Sequence, residues 1–221
     1  MMTLKKLPLA AALLASLTIP TMAQQAALDT PPLAEANGAL TLDRLGHHLT
    51  MPMPDWLQSP SGPIESQVEI HYLGDDRQVA VEVRPKGETE ALWSTLYGAR
   101  IALSPDLPLA QFRSSVMAGY AATCQPSQTG FFQLQPDQGD TLAPLGFICA
   151  AYRSDLTAYS GLGEVAVMSF KKTPKGVALV FQAWRGKSFD AKQPSTWPVK
   201  TDVVQARAAQ LQDQSALTAA D

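Results

Sequence analysis

The chain has 221 residues, 46% hydrophobic and 17% charged, with 17 Lys and Arg against 20 Asp and Glu for a formal charge of −3 at pH 7. Without clustered cations, this balance argues against a nucleic-acid or anionic-membrane partner. Three histidines and two cysteines confine metal, redox and acid–base chemistry to very few positions.

In chain order, residues 1–23 have the pattern of an export signal. Lys5 and Lys6 precede an apolar run of 13 residues, 7–19, that contains Pro8, and Thr21-Met22-Ala23 forms a small-x-small cleavage site. A spanning helix needs about 20 apolar residues, so no stable membrane insertion is expected after cleavage. Loss of Lys5 and Lys6 moves the formal charge from −3 to −5 and leaves 198 residues. That length suits one domain, 38–221, placed in the periplasm or secreted.

Residues 24–37, QQAALDTPPLAEAN, contain paired prolines and no sustained period, and read as a flexible leader. ALTLDRL and HLTMPMPDWL then alternate as two short strands before a QSPSGP break. QVEIHYL and RQVAVEVRP flank GDD as an antiparallel hairpin, with Val68, Ile70 and Tyr72 on one face and Glu69 and His71 on the other. PKGETEALW suggests a turn and a short helix capped by Thr89, and STLYGARIAL a further strand.

From 107 to 123 the period becomes helical: Leu109, Phe112, Val116, Met117 and Tyr120 recur every three or four residues. FFQLQ, a PDQGD turn and the apolar run APLGFICAAY follow as strands. GEVAVMSFKKT and GVALVFQAWRG then form a second hairpin around PKG. The tail, 202–217, is helical with Val203, Ala206, Gln210 and Leu211 along a thin stripe, which suggests packing at an edge. Consecutive hairpins with one central and one C-terminal helix specify an α+β fold, an antiparallel sheet with both helices packed on it; the alternative is a three-layer α/β/α sandwich.

Cys124 ends the central helix and Cys149 lies in an apolar strand. In an exported chain this pair is expected to close as a disulfide pinning helix to sheet. A redox role would call for C-x-x-C at a helix N-terminus, and here both the spacing and the helix end differ. The hairpin between them holds adjacent Phe131 and Phe132, one of which must face away from whatever the other covers. An exposed ring would make it a docking surface.

His47, Met51 and Met53 share a strand face in GHHLTMPMP, beside His48, and soft ligands of this kind suit copper; solvated histidines and core methionines are the competing reading. His71 alternates toward the polar sheet face. No G-x-S-x-G, H-E-x-x-H, P-loop or dinucleotide-binding motif is present, so no cofactor and no catalytic residue is assigned. Trp184-Arg185 at a strand end and Trp197 in STWPV lie in or beside loops, where binding residues concentrate. Arg185 there is suited to receive a carboxylate or to pair with Glu88 or Glu164. The expected function is an exported, disulfide-stapled accessory or binding protein without catalysis, engaging another envelope or extracellular protein. A small-ligand-binding protein, a periplasmic copper-binding protein and a hydrolase of unrecognised type are the alternatives.

Overall fold

The computed structural model describes residues 33–57 and 62–220. Strands β1 (Leu33–Ala36), β2 (Ala39–Arg44) and β3 (His47–Pro52) begin a small antiparallel sheet. A larger one holds β4 (Val68–Gly74), β5 (Gln78–Pro85), β6 (Thr95–Leu103), β7 (Thr129–Gln133), β8 (Leu145–Cys149), β9 (Leu162–Thr173) and β10 (Gly176–Lys187). Helix α1 (Leu109–Thr123) precedes β7, and α2 (Thr201–Gln214) leads into β11 (Ala216–Ala219), which pairs with β3. The small sheet runs β1-β2-β3-β11, the large one β4-β5-β6-β10-β9-β8-β7. This is the α+β arrangement of helices packed on an antiparallel sheet. No helix among the described residues is long and apolar enough to cross a membrane.

Two cores lie on opposite faces of the large sheet. Ala166, Met168 and Phe170 of β9, with Leu179 and Phe181 of β10, meet Phe112 and the half-buried Val116, Met117 and Tyr120 of α1. Val165, Val167 and Val180 face the other way, where Val204, Ala208 and Leu211 of α2 join Leu40, Leu42, Leu49 and Met51 of the small sheet. Strands β9 and β10 are therefore covered on both faces and read as nearly continuous apolar runs. In β4, Val68 and Tyr72 are buried while the intervening Glu69 and His71 are only half-buried. The Tyr97 hydroxyl ties the layers by donating to the Pro52 carbonyl at 2.7 Å.

Close approaches explain the glycines inside strands. A Cβ on Gly98 would overlap the Val81 carbonyl oxygen and come within 2.8 Å of the Phe181 ring. Gly98→Ala is accordingly expected to lower stability by about 1–3 kcal/mol in urea denaturation. A wild-type midpoint would show that the strands part more easily than this packing allows.

Four readings of the sequence are corrected. The leader was expected to reach Asn37, but its last residues form β1, with Leu33 buried and an Asn37-Gly38 turn whose φ values are both positive; 24–32 lie outside the described residues. The stretch before β6 contains no helix: the Leu92 amide donates to Thr89 Oγ1 at 3.1 Å in an irregular loop. Helix α2 does not sit at an edge but packs on β9 and β3 through Val204, Arg207, Ala208 and Leu211. Arg207 is 2% exposed, stacks 4.8 Å from the Tyr97 ring and donates to the Met53 carbonyl at 2.8 Å, so the polar letter belongs to the buried stripe. Finally, 216–219 are strand rather than the helix end.

Cys124 and Cys149 are paired as a disulfide, with Cα atoms 5.7 Å apart, joining the end of α1 to β8. Both Phe131 and Phe132 of the intervening hairpin are half-buried. Phe131 packs on Phe147 at 5.2 Å between centroids, and Phe132 covers its cross-strand partner Gly146 on the opposite face. The hairpin's return is set by Asp137, which accepts from Arg113 at 2.7 and 2.9 Å and from the Ala143 amide at 2.9 Å. The Arg113 guanidinium pulls the Asp137 carboxyl down to about 2. Because the folded value lies below the ordinary one near 3.9, this anchor's contribution is present above pH 4 and is lost as pH falls toward 2. Asp137→Asn is expected to be about 1 kcal/mol less stable at pH 7, with the difference vanishing near pH 2. A pH-independent gap between the two unfolding curves would rule out the ion pair as its source.

Candidate functional site

Strand alternation sends the consecutive residues Trp184 and Arg185 of β10 to opposite faces. Trp184 enters the α2-side core, its indole N–H donating to Asp55 Oδ2 at 3.2 Å. Arg185 projects to the α1 side, where the β9–β10 register sets Glu164 directly across from it, Nη2 to Oε2 at 3.6 Å. Both side chains are more than nine-tenths buried, 7% and 8% exposed. Tyr152 completes the cluster. Its hydroxyl donates a very short hydrogen bond to Glu164 and accepts one from Arg185 Nη2 at 3.0 Å.

Aromatic rings surround the guanidinium: Trp93 at 3.6 Å, Tyr159 at 4.7 Å and Tyr152 at 5.3 Å from its carbon to the ring centroids. Trp93 is delivered by the irregular loop before β6, whose two ends are clasped by Glu88; that carboxylate accepts from the amide (2.9 Å) and hydroxyl of Ser94. The chain is then fixed to β10 by the Arg185 amide donating to the Ser94 carbonyl at 2.8 Å. Arg185 Nε and Nη1 are buried and have no hydrogen-bond partner among the described residues. Arg185 is among the residues lining an open cleft of about 300 Å³, together with Glu88, Ala91, Leu92, Trp93 and Leu162.

Burial pushes the Glu164 carboxyl above its ordinary value, against the Tyr152 hydrogen bond and the Arg185 charge. Burial likewise raises the Tyr152 hydroxyl, and the adjoining Glu164 carboxylate adds to it. Tyr152 is thus a proton donor that stays protonated at neutral pH. Orphaned N–H groups of this kind cost about 1–3 kcal/mol in a buried setting, and they also occur on Arg207 at Nε and Nη2 and on Arg44 and Arg84 at Nε.

The other candidates do not converge here. Trp197 lies with Phe132 and Phe189 at 6.2 and 6.5 Å between centroids, packed against the α2-side core. Phe131 belongs to the α1-side core. His47, Met51 and Met53 do share a face, but as buried core. His47 Nδ1 donates to the Leu45 carbonyl at 2.9 Å, which leaves Nε2 as the acceptor for the Thr173 hydroxyl at 2.9 Å. Both ring nitrogens are therefore engaged, and a copper site there would need the ring to leave the core. His48 pairs with Asp43 at the surface, and the half-buried His71 lies 3.0 Å from the exposed Glu90. Among the described residues no group of three or more His, Cys, Asp or Glu side chains is placed to hold a metal ion.

Sequence reasoning located Arg185 and offered Glu88 or Glu164 as its partner; it did not bring Trp93, Tyr152, Tyr159 or Leu162 to it. The register of the PKG hairpin is the signal that pairs 164 with 185, whereas the aromatic residues come from two separate connections, Trp93 from that between β5 and β6 and Tyr152 and Tyr159 from that between β8 and β9. The chain matches no protein-family model, no curated protein and no solved structure.

Proposed function

We propose that the protein is exported and acts as a non-catalytic binding protein, holding a small ligand in the cleft beside Arg185. The observation that carries this reading is an open, mainly apolar cleft lined by Arg185, whose buried guanidinium has two N–H groups without acceptors among the described residues. The combination of apolar walls with a few convergent polar groups is that of ligand sites in general. A small ligand is preferred to a protein partner because Phe131 and Phe132 of the stapled hairpin are both half-buried, one against each core. Catalysis is not favoured because Glu164, the acid of the cluster, is held by both Tyr152 and Arg185 beneath the aromatic rings.

The ligand reading is tested by titrating the isotope-labelled protein with a chemically diverse small-molecule panel. Amide shifts confined to 88–94, 162 and 185–186 are expected for a subset of compounds; a panel that leaves these amides unmoved sinks it. Export is tested separately. Protein recovered from the periplasm or the medium is expected to begin at Gln24, and a product that retains Met1 inside the cell defeats that part.

A further inference from the structure

The turn between β1 and β2 holds the chain's only asparagine, and a glycine follows it. We propose that Asn37 is a site of spontaneous covalent modification, in which the Gly38 backbone nitrogen displaces ammonia from the Asn37 side chain and water then opens the ring to aspartate or isoaspartate. The site is independent of the cleft beside Arg185.

Three observations converge on this pair. The first is access. Asn37 and Gly38 are both exposed, and the Asn37 side chain has no hydrogen-bond partner among the described residues. A Cβ on Gly38 would meet nothing within 4 Å, so no neighbouring side chain crowds the attacking residue. The second is the turn. Ala36 and Ala39 close a two-residue hairpin whose φ values, 53° at Asn37 and 72° at Gly38, are those of a type I′ turn. Leu45-Gly46, between β2 and β3, has φ values of 55° and 63°, so the same geometry is made there without a side-chain amide, and of the two turns only the first can react. The third is how lightly the hairpin is held. Strand β1 is the four-residue edge of the small sheet, pairs with β2 alone and buries one side chain, Leu33, while Ala34, Glu35 and Ala36 are exposed. Elements with so few buried contacts open far more readily than the whole molecule unfolds.

Closing a five-membered ring requires the Asn37–Gly38 peptide to swing toward the side-chain carbon, a movement that the paired turn restrains. The reaction therefore proceeds from the open hairpin. The Gly38 nitrogen gives up its proton and bonds to Asn37 Cγ, the Cγ–Nδ2 bond breaks, and ammonia leaves. Water then cleaves one of the two imide bonds: cleavage at Cγ restores the normal chain as aspartate, and cleavage at the main-chain carbonyl carbon leaves the chain running through Cγ as isoaspartate. No oxidant or reductant takes part. The products differ in consequence. Asp-Gly suits the same type I′ turn, so aspartate leaves β1 paired. Isoaspartate lengthens the main chain between Ala36 and Ala39, the two-residue turn no longer fits the register, and Leu33 leaves its place opposite Leu42.

The purified protein is held at 37 °C at pH 6 and at pH 9 and followed by peptide mass mapping, with the peptide LAEANGALTL, residues 33–42, as the unrestrained reference. The fragment containing residue 37 is expected to change from the mass of the amide to that of the acid, faster at pH 9, more slowly than the peptide, and with isoaspartate detected by enzymatic methylation. Leu33→Ala, which removes the anchor of β1 without touching the turn, is expected to speed the change about tenfold; Asn37→Gln, which cannot close a five-membered ring, is expected to abolish it. Amide exchange across β1 is expected to accelerate in the isoaspartate fraction and to keep its wild-type rate in Asn37→Asp. A fragment that keeps its amide at pH 9 after the peptide has fully converted overturns the site. A wild-type rate in Leu33→Ala overturns the open-hairpin route, and an isoaspartate fraction that still protects β1 overturns its release.

Discussion

Arg185→Ala is expected to lower the unfolding free energy by about 3–5 kcal/mol at pH 7.5, the cost of leaving one member of a buried ion pair behind. Glu164, 8% exposed, would keep only its hydrogen bond from Tyr152, and Trp93 would lose the guanidinium that it stacks on at 3.6 Å. The measurement is the urea midpoint with an unchanged slope. Removing both charges, as Arg185→Met with Glu164→Leu, is expected to recover most of the loss, because two apolar side chains of similar volume leave no isolated charge. A single variant as stable as the wild type would mean that the pair contributes no more than an exposed one.

The same variant should show a distinctive pH response. Burial already lifts Glu164 above its ordinary value, and deleting the neighbouring cation lifts it further. Above about pH 4.3, the usual glutamate value, the unfolded chain has released a proton that the folded variant retains. Stability of the variant therefore falls as pH rises from there through the raised folded value. Its deficit against the wild type is expected to shrink as pH is lowered toward 4.3. A deficit that is constant from pH 4.5 to 8 would place the cost in lost packing around Trp93 rather than in the stranded carboxylate.

The legible parts of the fold are those written in local pattern. Alternation in β4 and β5 is visible because one face is covered, and the PKG turn sets a register that puts Arg185 opposite Glu164. Strand β1 was hidden for the opposite reason: four residues with one buried side chain, Leu33, carry no period. Its mark was Asn37-Gly38, a pair suited to the positive φ values of a tight hairpin turn. Helix α2 was misplaced because the residue at the centre of its buried face is Arg207, whose aliphatic stem and stacking on Tyr97 do the work of an apolar residue. At the site, Arg185 was visible at a strand end, but Trp93, Tyr152 and Tyr159 reach it from distant loops. Only tertiary packing states which ring covers which charge.

Replacing both cysteines, as Cys124→Ala with Cys149→Ala, is expected to lower stability by about 3 kcal/mol, since the bond closes a loop of 26 residues. The loss should not be uniform. Helix α1 buries only Phe112 fully, with Val116, Met117 and Tyr120 half-buried, so the covalent link at its end is a large part of what holds it to β8 and β9. Amide exchange in α1 is therefore expected to accelerate well beyond that in β9 and β10, which pair along their whole lengths at the centre of the sheet. The loosening should also travel toward the cleft. Cys124 bridges to Tyr152, Gln125 donates to the Ala151 carbonyl at 3.0 Å, and Arg153 donates to the Thr123 carbonyl at 3.0 Å, so the segment that positions the Tyr152 hydroxyl is strapped to the disulfide. Freed of that strap, Tyr152 holds Glu164 and Arg185 less firmly, and ligand affinity at the cleft is expected to drop along with the protection of α1. Exchange rates that rise equally in α1 and β10 would show instead that the bond acts only through the unfolded chain, and that the staple and the arginine cleft are mechanically separate.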